Sequence, residues 1–208
     1  ADAAAAAGLK VGAYIYSYAT TTDMAVQEAD FILDLIKDYP ISYPVVFDVE
    51  ASVMSTLTPA QLSDIINAFC KKIKEAGYYP MLYANDYWLT NKIDMSKVPY
   101  DVWVARYETK HTYNKASMWQ ATNQGTVAGI TGNVDINFAY KDFSAVIPAK
   151  QWRQINNNWY YYSDYKKQTG WINDGNGWYY MKDDGTQHKG WLHIDDKYYY
   201  LNDNTGKM

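Results

Sequence analysis

Two rhythms of apolar residues alternate along the first two thirds of the chain. Ala29, Ile32, Leu33 and Ile36 fall three and four residues apart, which predicts a helix capped by Thr22 or Asp23. Leu62, Ile65, Ile66, Phe69 and Ile73 do the same. This second helix has a full start signal in Thr58-Pro59-Ala60-Gln61 and a stop at Gly77. Short runs rich in β-branched and aromatic residues lie between and after these helices, at 9–18, 44–50, 79–83, 102–105, 118–121 and around 134–138, and read as strands. Ala3 to Ala7 followed by Gly8 reads as the tail of a helix, so further sequence is expected upstream. Strand–helix alternation with short turns predicts an α/β domain over residues 1–148, an irregular TIM-like barrel. A complete barrel of that type takes ~200–250 residues, so this one is expected to lack its first strands.

The rhythm changes at Trp152. Leu, Ile and Val become scarce while Trp and Tyr dominate, and the chain begins to repeat itself. Trp152, Trp171 and Trp191 recur, as do Trp159, Trp178 and Tyr198, and Gly170 and Gly190 each precede the next Trp. Each unit carries two short aromatic segments around an Asn/Asp/Gly turn, the pattern of a β-hairpin. Three such units, starting at 152, 171 and 191, predict an all-β hairpin solenoid over 149–208.

Composition narrows the possible functions. The net charge is −4, which gives no basic footprint for nucleic acid. No apolar run approaches the ~20 residues of a membrane span, so no membrane partner is expected. Cys70 is the single cysteine and lies beside an apolar helical stripe, as a packed residue would. No His, Cys and carboxylate cluster has metal-ligand spacing, so neither metal nor organic cofactor is expected. His188 and His193 read as surface residues. The 22 Tyr and 8 Trp exceed what so small a core can use, and exposed rings suit cation–π recognition of a quaternary ammonium or stacking on sugars. Candidate rings are Trp152, Trp159, Trp171, Trp178, Tyr180, Trp191, Tyr198 and Tyr200.

The segment Pro44 to Glu50 is an apolar run ending in Asp48 and Glu50. Along a strand these two side chains share a face, with Cα atoms roughly 6–7 Å apart. Paired carboxylates at such range are what glycosidic-bond cleavage uses. Rotamers span both the retaining and inverting separations, so spacing leaves the stereochemistry open.

The stretches AGLKVGAYIYSYA (7–19), PVVFDVE (44–50), YPMLYANDYW (79–88), VWVARY (102–107), MWQAT (118–122) and GNVDINFAY (132–140) resemble, in order and spacing, the glycoside hydrolase family 25 muramidases. The resemblance implies hydrolysis of the β-1,4 bond between N-acetylmuramic acid and N-acetylglucosamine in peptidoglycan. It makes Glu50 the general acid, Asp48 the neighbour that tunes it and steers the 2-acetamido group, and Asp135 an electrostatic support or a residue that holds a neighbour in place. Tyr83, Asn85, Trp103, Tyr107, Trp119 and Gln120 stand at strand ends and become candidate substrate contacts, with Tyr83 and Tyr107 favoured. The later units resemble choline-binding and related glucan-binding repeats. They imply attachment to choline-bearing teichoic acid or a related wall polysaccharide. Such a protein would be secreted and wall-associated, or released from the cytoplasm as a phage endolysin. The rival expectation is a catalytically inactive fragment that binds the wall, choline or glucan. A glycosidase acting on another N-acetylated polymer such as chitin is a third.

Overall fold

The computed structural model describes residues 1–208. They gather into two compact units, one of residues 12–32 and 43–147, the other of residues 1–11, 33–42 and 148–208.

The first unit is built on one mixed sheet that curls into a half-barrel. Its strands are β1 (Ala13–Tyr16), β2 (Val45–Asp48), β3 (Pro80–Asn85), β4 (Asp101–Ala105), β5 (Met118–Gly125) and β6 (Val134–Ala139), and they pair in that order. The first five run parallel, and β6 returns antiparallel to β5. All four residues of β2 are buried, as expected of a central strand covered on both faces. The sheet has two edges, at β1 and β6, and is not closed.

Helix α1 (Asp2–Ala6) precedes β1, and helix α2 (Thr22–Ile36) follows it. Its cap is Thr21, one residue before the expected start, whose Oγ1 accepts from Met24 N at 3.2 Å. Helix α3 (Pro59–Glu75) begins with the capping box read from the sequence: Gln61 N donates to Thr58 Oγ1 (3.3 Å) and Thr58 N to Gln61 Oε1 (2.9 Å). Such a cap contributes about 1 kcal/mol. Its buried face comprises Leu62, Ser63, Ile65, Ile66, Phe69, Cys70 and Ile73, each large apolar side chain contributing roughly 1.5–3 kcal/mol. Phe69 stacks on Phe47 of β2 with centroids 4.2 Å apart, which places α3 on the outer face of the sheet. Cys70 is fully buried, and burial pushes its thiol far up. A short helix not foreseen in the sequence, α4 (Asp86–Asn91), follows β3 directly.

At the N-terminal ends of the strands, Asp101 ties four strands together. It accepts from Tyr79 Oη just before β3, from Ser117 Oγ (2.6 Å) just before β5, and from Lys141 Nζ (2.7 Å) just after β6. Burial would raise its carboxyl, but these bonds outweigh it and hold the carboxyl below its ordinary range.

The second unit contains the repeats as hairpins: β7 (Gln151–Ile155) with β8 (Asn158–Ser163) and the short β9 (Lys166–Lys167), then β10 (Gly170–Asn173) with β11 (Trp178–Met181), then β12 (Gly190–Ile194) with β13 (Lys197–Leu201). Three of the turns, Asn156-Asn157, Asp164-Tyr165 and Asp195-Asp196, put both central residues at positive φ, the two-residue geometry that matches strand twist and that Asn and Asp tolerate best. Trp152, Trp171 and Trp191 each meet the Tyr nine residues on, at 5.1 to 5.3 Å between centroids. Backbone bonds link successive hairpins in a repeating way. Gln187 N donates to Trp159 O (2.8 Å), and Met208 N to Trp178 O (2.9 Å) one unit on. Residues 33–42 belong to this unit because Tyr162 Oη donates to Lys37 O (2.6 Å) and Arg153, buried over the Tyr162 ring, donates to Ile41 O (3.4 Å).

Candidate active site

Backbone pairing assembles the site at the C-terminal ends of the parallel strands. Tyr16, Asp48, Tyr83 and Trp103 lie side by side on β1 to β4. Ser17 N donates to Asp48 O and Val49 N to Tyr83 O, both at 2.9 Å, so the chain is pinned on both sides just where the carboxylates leave the sheet. The strand ends at Asp48, and Glu50 lies two residues beyond it rather than within it.

Asp48 is 8% exposed, and its Oδ1 has no hydrogen-bond partner. Burial, and after it the charge of Glu50, pushes its carboxyl up to about 7. Glu50 is half-buried and also raised, chiefly by burial, against a hydrogen bond from Asn85 that lowers it. The sequence-based expectation made Asp48 the charge that lifts Glu50. In the structure burial lifts Glu50, and the mutual repulsion falls on the deeper Asp48. Of the two, Asp48 therefore keeps its proton to the higher pH in the free chain.

Asn85 has a defined orientation. Its Oδ1 caps α4 by accepting from Trp88 N (3.0 Å), which leaves its amide hydrogens for Glu50. Gln120 is the other organiser. Its Oε1 accepts from Tyr83 Oη and Tyr107 Oη, both at 2.8 Å, and its Nε2 donates to Asp135 Oδ2 at 2.9 Å. One buried amide thus joins the wall beside the carboxyl pair to Asp135. Tyr83 is 8% exposed and Tyr107 39%, so Tyr107 is the more open to a ligand. Burial first, and then the Glu50 charge, raises the Tyr83 phenol, which stays neutral.

Of the expected contacts, one lies on the face of the carboxyl pair but is packed there, and one points away from it. Trp103 packs its edge on Tyr83 (5.0 Å), donates from Nε1 to Asn137 Oδ1 (3.0 Å), and lines an apolar cavity of about 350 Å³ with Val46, Met81 and Met118, inside the sheet's curve. Trp119 neighbours Gln120 in a strand and so faces the opposite side, where it stacks on Phe138 (5.4 Å) and donates to Arg106 O (2.8 Å). Conversely, Tyr16 was not foreseen. Its phenol is raised by burial and next by the Glu50 charge, and its ring lies 5.2 Å from Tyr18. The alternation Tyr14, Tyr16, Tyr18 was the available signal.

In the hairpins, Trp152 also meets Tyr179 (5.0 Å) and Trp171 meets Tyr199 (4.8 Å), so rings of successive units come together. Trp159, Trp178, Trp191, Tyr198 and Tyr200 are exposed, while Trp152, Trp171 and Tyr180 are partly covered. His193 is exposed, as expected of a surface residue, and stacks on Tyr198 at 4.4 Å. No three His, Cys, Asp or Glu side chains converge as a metal site, and no helix is long and apolar enough to cross a membrane.

Residues 1–130 match the model of glycosyl hydrolases family 25. Residues 150–164 match a putative cell wall binding repeat, and 168–208 a choline-binding repeat. A D-alanyl-L-alanine endopeptidase of Streptococcus phage B30 is 30% identical over 126 residues, covering 53% of this chain and 28% of the relative. The CTP1L endolysin structure is 28% identical with a TM-score of 0.59, over 69% of this chain and 51% of that one. The Clostridium perfringens spore cortex lytic enzyme SleM shares the fold, with a TM-score of 0.61 at 20% identity, over 100% of this chain and 70% of that one. The chain thus spans about a quarter of the phage B30 relative's length and half of the endolysin's. With more than half of its residues matched, and the Asp48–Glu50 pair at the mouth of the sheet, the chain belongs to glycosyl hydrolase family 25 and carries choline-binding repeats after that domain.

Proposed function

We propose that the protein is a peptidoglycan muramidase, hydrolysing the β-1,4 bond between N-acetylmuramic acid and N-acetylglucosamine. The catalytic domain is residues 1–148, an irregular barrel, and 149–208 form a stacked solenoid that holds the enzyme on the wall. The observation that carries this reading is the pair of carboxyls at the end of β2, Asp48 buried with an unfilled acceptor and Glu50 half-buried two residues on, both raised by burial. A general acid must still hold its proton near neutrality, and a pair that shares one does so. Glu50, nearer the mouth, takes over the proton from Asp48 when the glycan binds and delivers it to the glycosidic oxygen as the C1–O bond breaks, which leaves Asp48 charged. Asp48, with a buried unfilled acceptor, takes the N–H of the 2-acetamido group and turns its carbonyl oxygen toward the anomeric carbon. Attack by that oxygen gives retention, and direct attack by water gives inversion. Asp135, held by Gln120, supports the positive charge that develops on the sugar. Tyr83, Tyr107 and Tyr16 form the groove wall.

For the hairpins, the grouped and exposed rings fit a choline trimethylammonium, each well-placed ring contributing about 0.5–2 kcal/mol. Choline-bearing teichoic acid is the wall partner this implies, and an extracellular, wall-associated site of action follows. Tethering raises the local concentration of glycan around the groove.

The test is lysis of purified cell walls by the wild-type protein and by Glu50→Gln. Lysis lost in the variant, with wall binding kept, supports the proposal. Walls left intact by the wild type would instead favour a second reading, a wall-binding protein without catalysis, which the unpaired edge of β1 beside Asp48 recommends. The anomer first released, read by NMR, separates retention from inversion.

A further inference from the structure

The segment from Arg106 to Tyr113, between β4 and β5, is tied down at both ends by a single carboxylate. Asp86, the first residue of α4, is 6% exposed. Its Oδ1 accepts from Thr112 N (3.0 Å) and Tyr113 N (2.9 Å). Its Oδ2 accepts from Thr112 Oγ1 (2.6 Å) and from the guanidinium of Arg106. Arg106 is itself fixed, its N donating to Gln120 O (3.1 Å) and its Nε to Thr109 Oγ1 (3.0 Å). Between these ties sit Tyr107, on Gln120, and Glu108 at φ 67°, a left-handed backbone that a side chain of this kind keeps only when its surroundings enforce it. Burial would raise the Asp86 carboxyl, but these bonds outweigh it and hold it down to about 2, so it is charged throughout the working range of a glycosidase. Helix α4 does not need this charge, because Asn85 supplies its cap. A buried charge costs free energy unless its acceptors are filled, and here the loop fills them.

We propose that Asp86 is a positioning residue of the glycan groove: it staples residues 106–113 so that Tyr107 stays on Gln120 and the wall met by the sugar is preformed. This rests on the muramidase reading. The effect runs through Tyr107, since the side-chain bonds of Asp86 go to the loop and none to Asp48, Glu50 or Gln120. A wall residue contacts the ground state and the transition state alike, so its loss shows in KM rather than kcat.

The experiment compares wild type, Asp86→Asn, Tyr107→Ala and the double variant on a soluble muropeptide oligosaccharide, with amide hydrogen exchange on each. Asp86→Asn is expected to raise KM about tenfold with kcat within about threefold. Exchange should speed up at residues 107–113 and not in β2 or β3. In the Tyr107→Ala background the added effect on KM should fall below about twofold, as for residues acting through one contact. An unchanged KM, an undiminished tenfold effect in that background, or faster exchange spread over the whole sheet would overturn the assignment. If the wild type cleaves no glycan, the muramidase reading falls, and exchange at 107–113 alone upholds or refutes the staple.

Discussion

Replacing Asp48 with Asn should make the catalytic unit more stable above neutral pH while abolishing its chemistry. The Asp48 carboxyl stands at about 7 against an ordinary 3.8, a rise of about three units. At 1.36 kcal/mol per unit, keeping it charged in the fold costs on the order of 4 kcal/mol. Solvent at the groove mouth makes that an upper limit. The sign follows from a folded value above the unfolded one. The native state holds the proton more tightly, so the stability tied to the neutral form is complete below about pH 3.8, is lost as the pH rises toward 7, and is absent above it. Asn is neutral throughout. The stability difference between Asp48→Asn and wild type should therefore grow between pH 4.5 and pH 8 by up to about 3 kcal/mol, or on the order of 10 °C in melting temperature for a unit of this size. Any fixed cost of burying the Asn amide cancels when the two pH values are compared. Calorimetry with the two units' transitions resolved, or urea titration followed by tryptophan fluorescence, measures it. Because burial ranks ahead of the Glu50 charge among the causes, the trend should shrink but persist in a Glu50→Gln background. A difference that does not change with pH, or a variant less stable relative to wild type at pH 8 than at pH 4.5, would refute the reasoning.

Activity should fall about tenfold per pH unit above about 7, as the shared proton leaves the pair, and Asn85→Ala should move that falling limb to higher pH, since Asn85 lowers Glu50. Gln120→Leu strands the buried Tyr83 phenol and releases Tyr107 and Asp135, and should cost about 1–3 kcal/mol by urea unfolding together with most of the glycan cleavage. Trp178→Ala, removing an exposed ring, should advance elution from an immobilised choline analogue by free choline, an affinity loss of roughly three- to tenfold, while cleavage of soluble oligosaccharides is unchanged.

The features legible in the sequence were those set by local rules. The Thr58 capping box, the stripe from Leu62 to Ile73, the order of strands and the Asp48–Glu50 spacing all depend on residues within one or two turns of one another. The features that were not legible depend on parity or on distant partners. Trp119 and Gln120 are adjacent in a strand and cannot both face the groove, so alternation alone was enough to discard one of them. For Asn85 the sequence does not say which end of the amide is already engaged; its oxygen caps α4, a helix too short to show a period. Asp86 was invisible for a stronger reason. Its partners at 106, 112 and 113 lie 20 to 27 residues on, in a loop with no pattern of its own.

The bonds from Gln187 to Trp159 and from Met208 to Trp178 bear on how the hairpin array melts. A two-stranded hairpin is marginal by itself in water, so each unit folds largely on credit from the next. If choline seats where rings of successive units meet, it acts as a removable rivet, fastening two hairpins at once. Occupancy and order then become one variable. The array should melt in a short, shallow cascade without choline and as a single steep event when saturated, and the wall itself would complete the fold of the module that grips it.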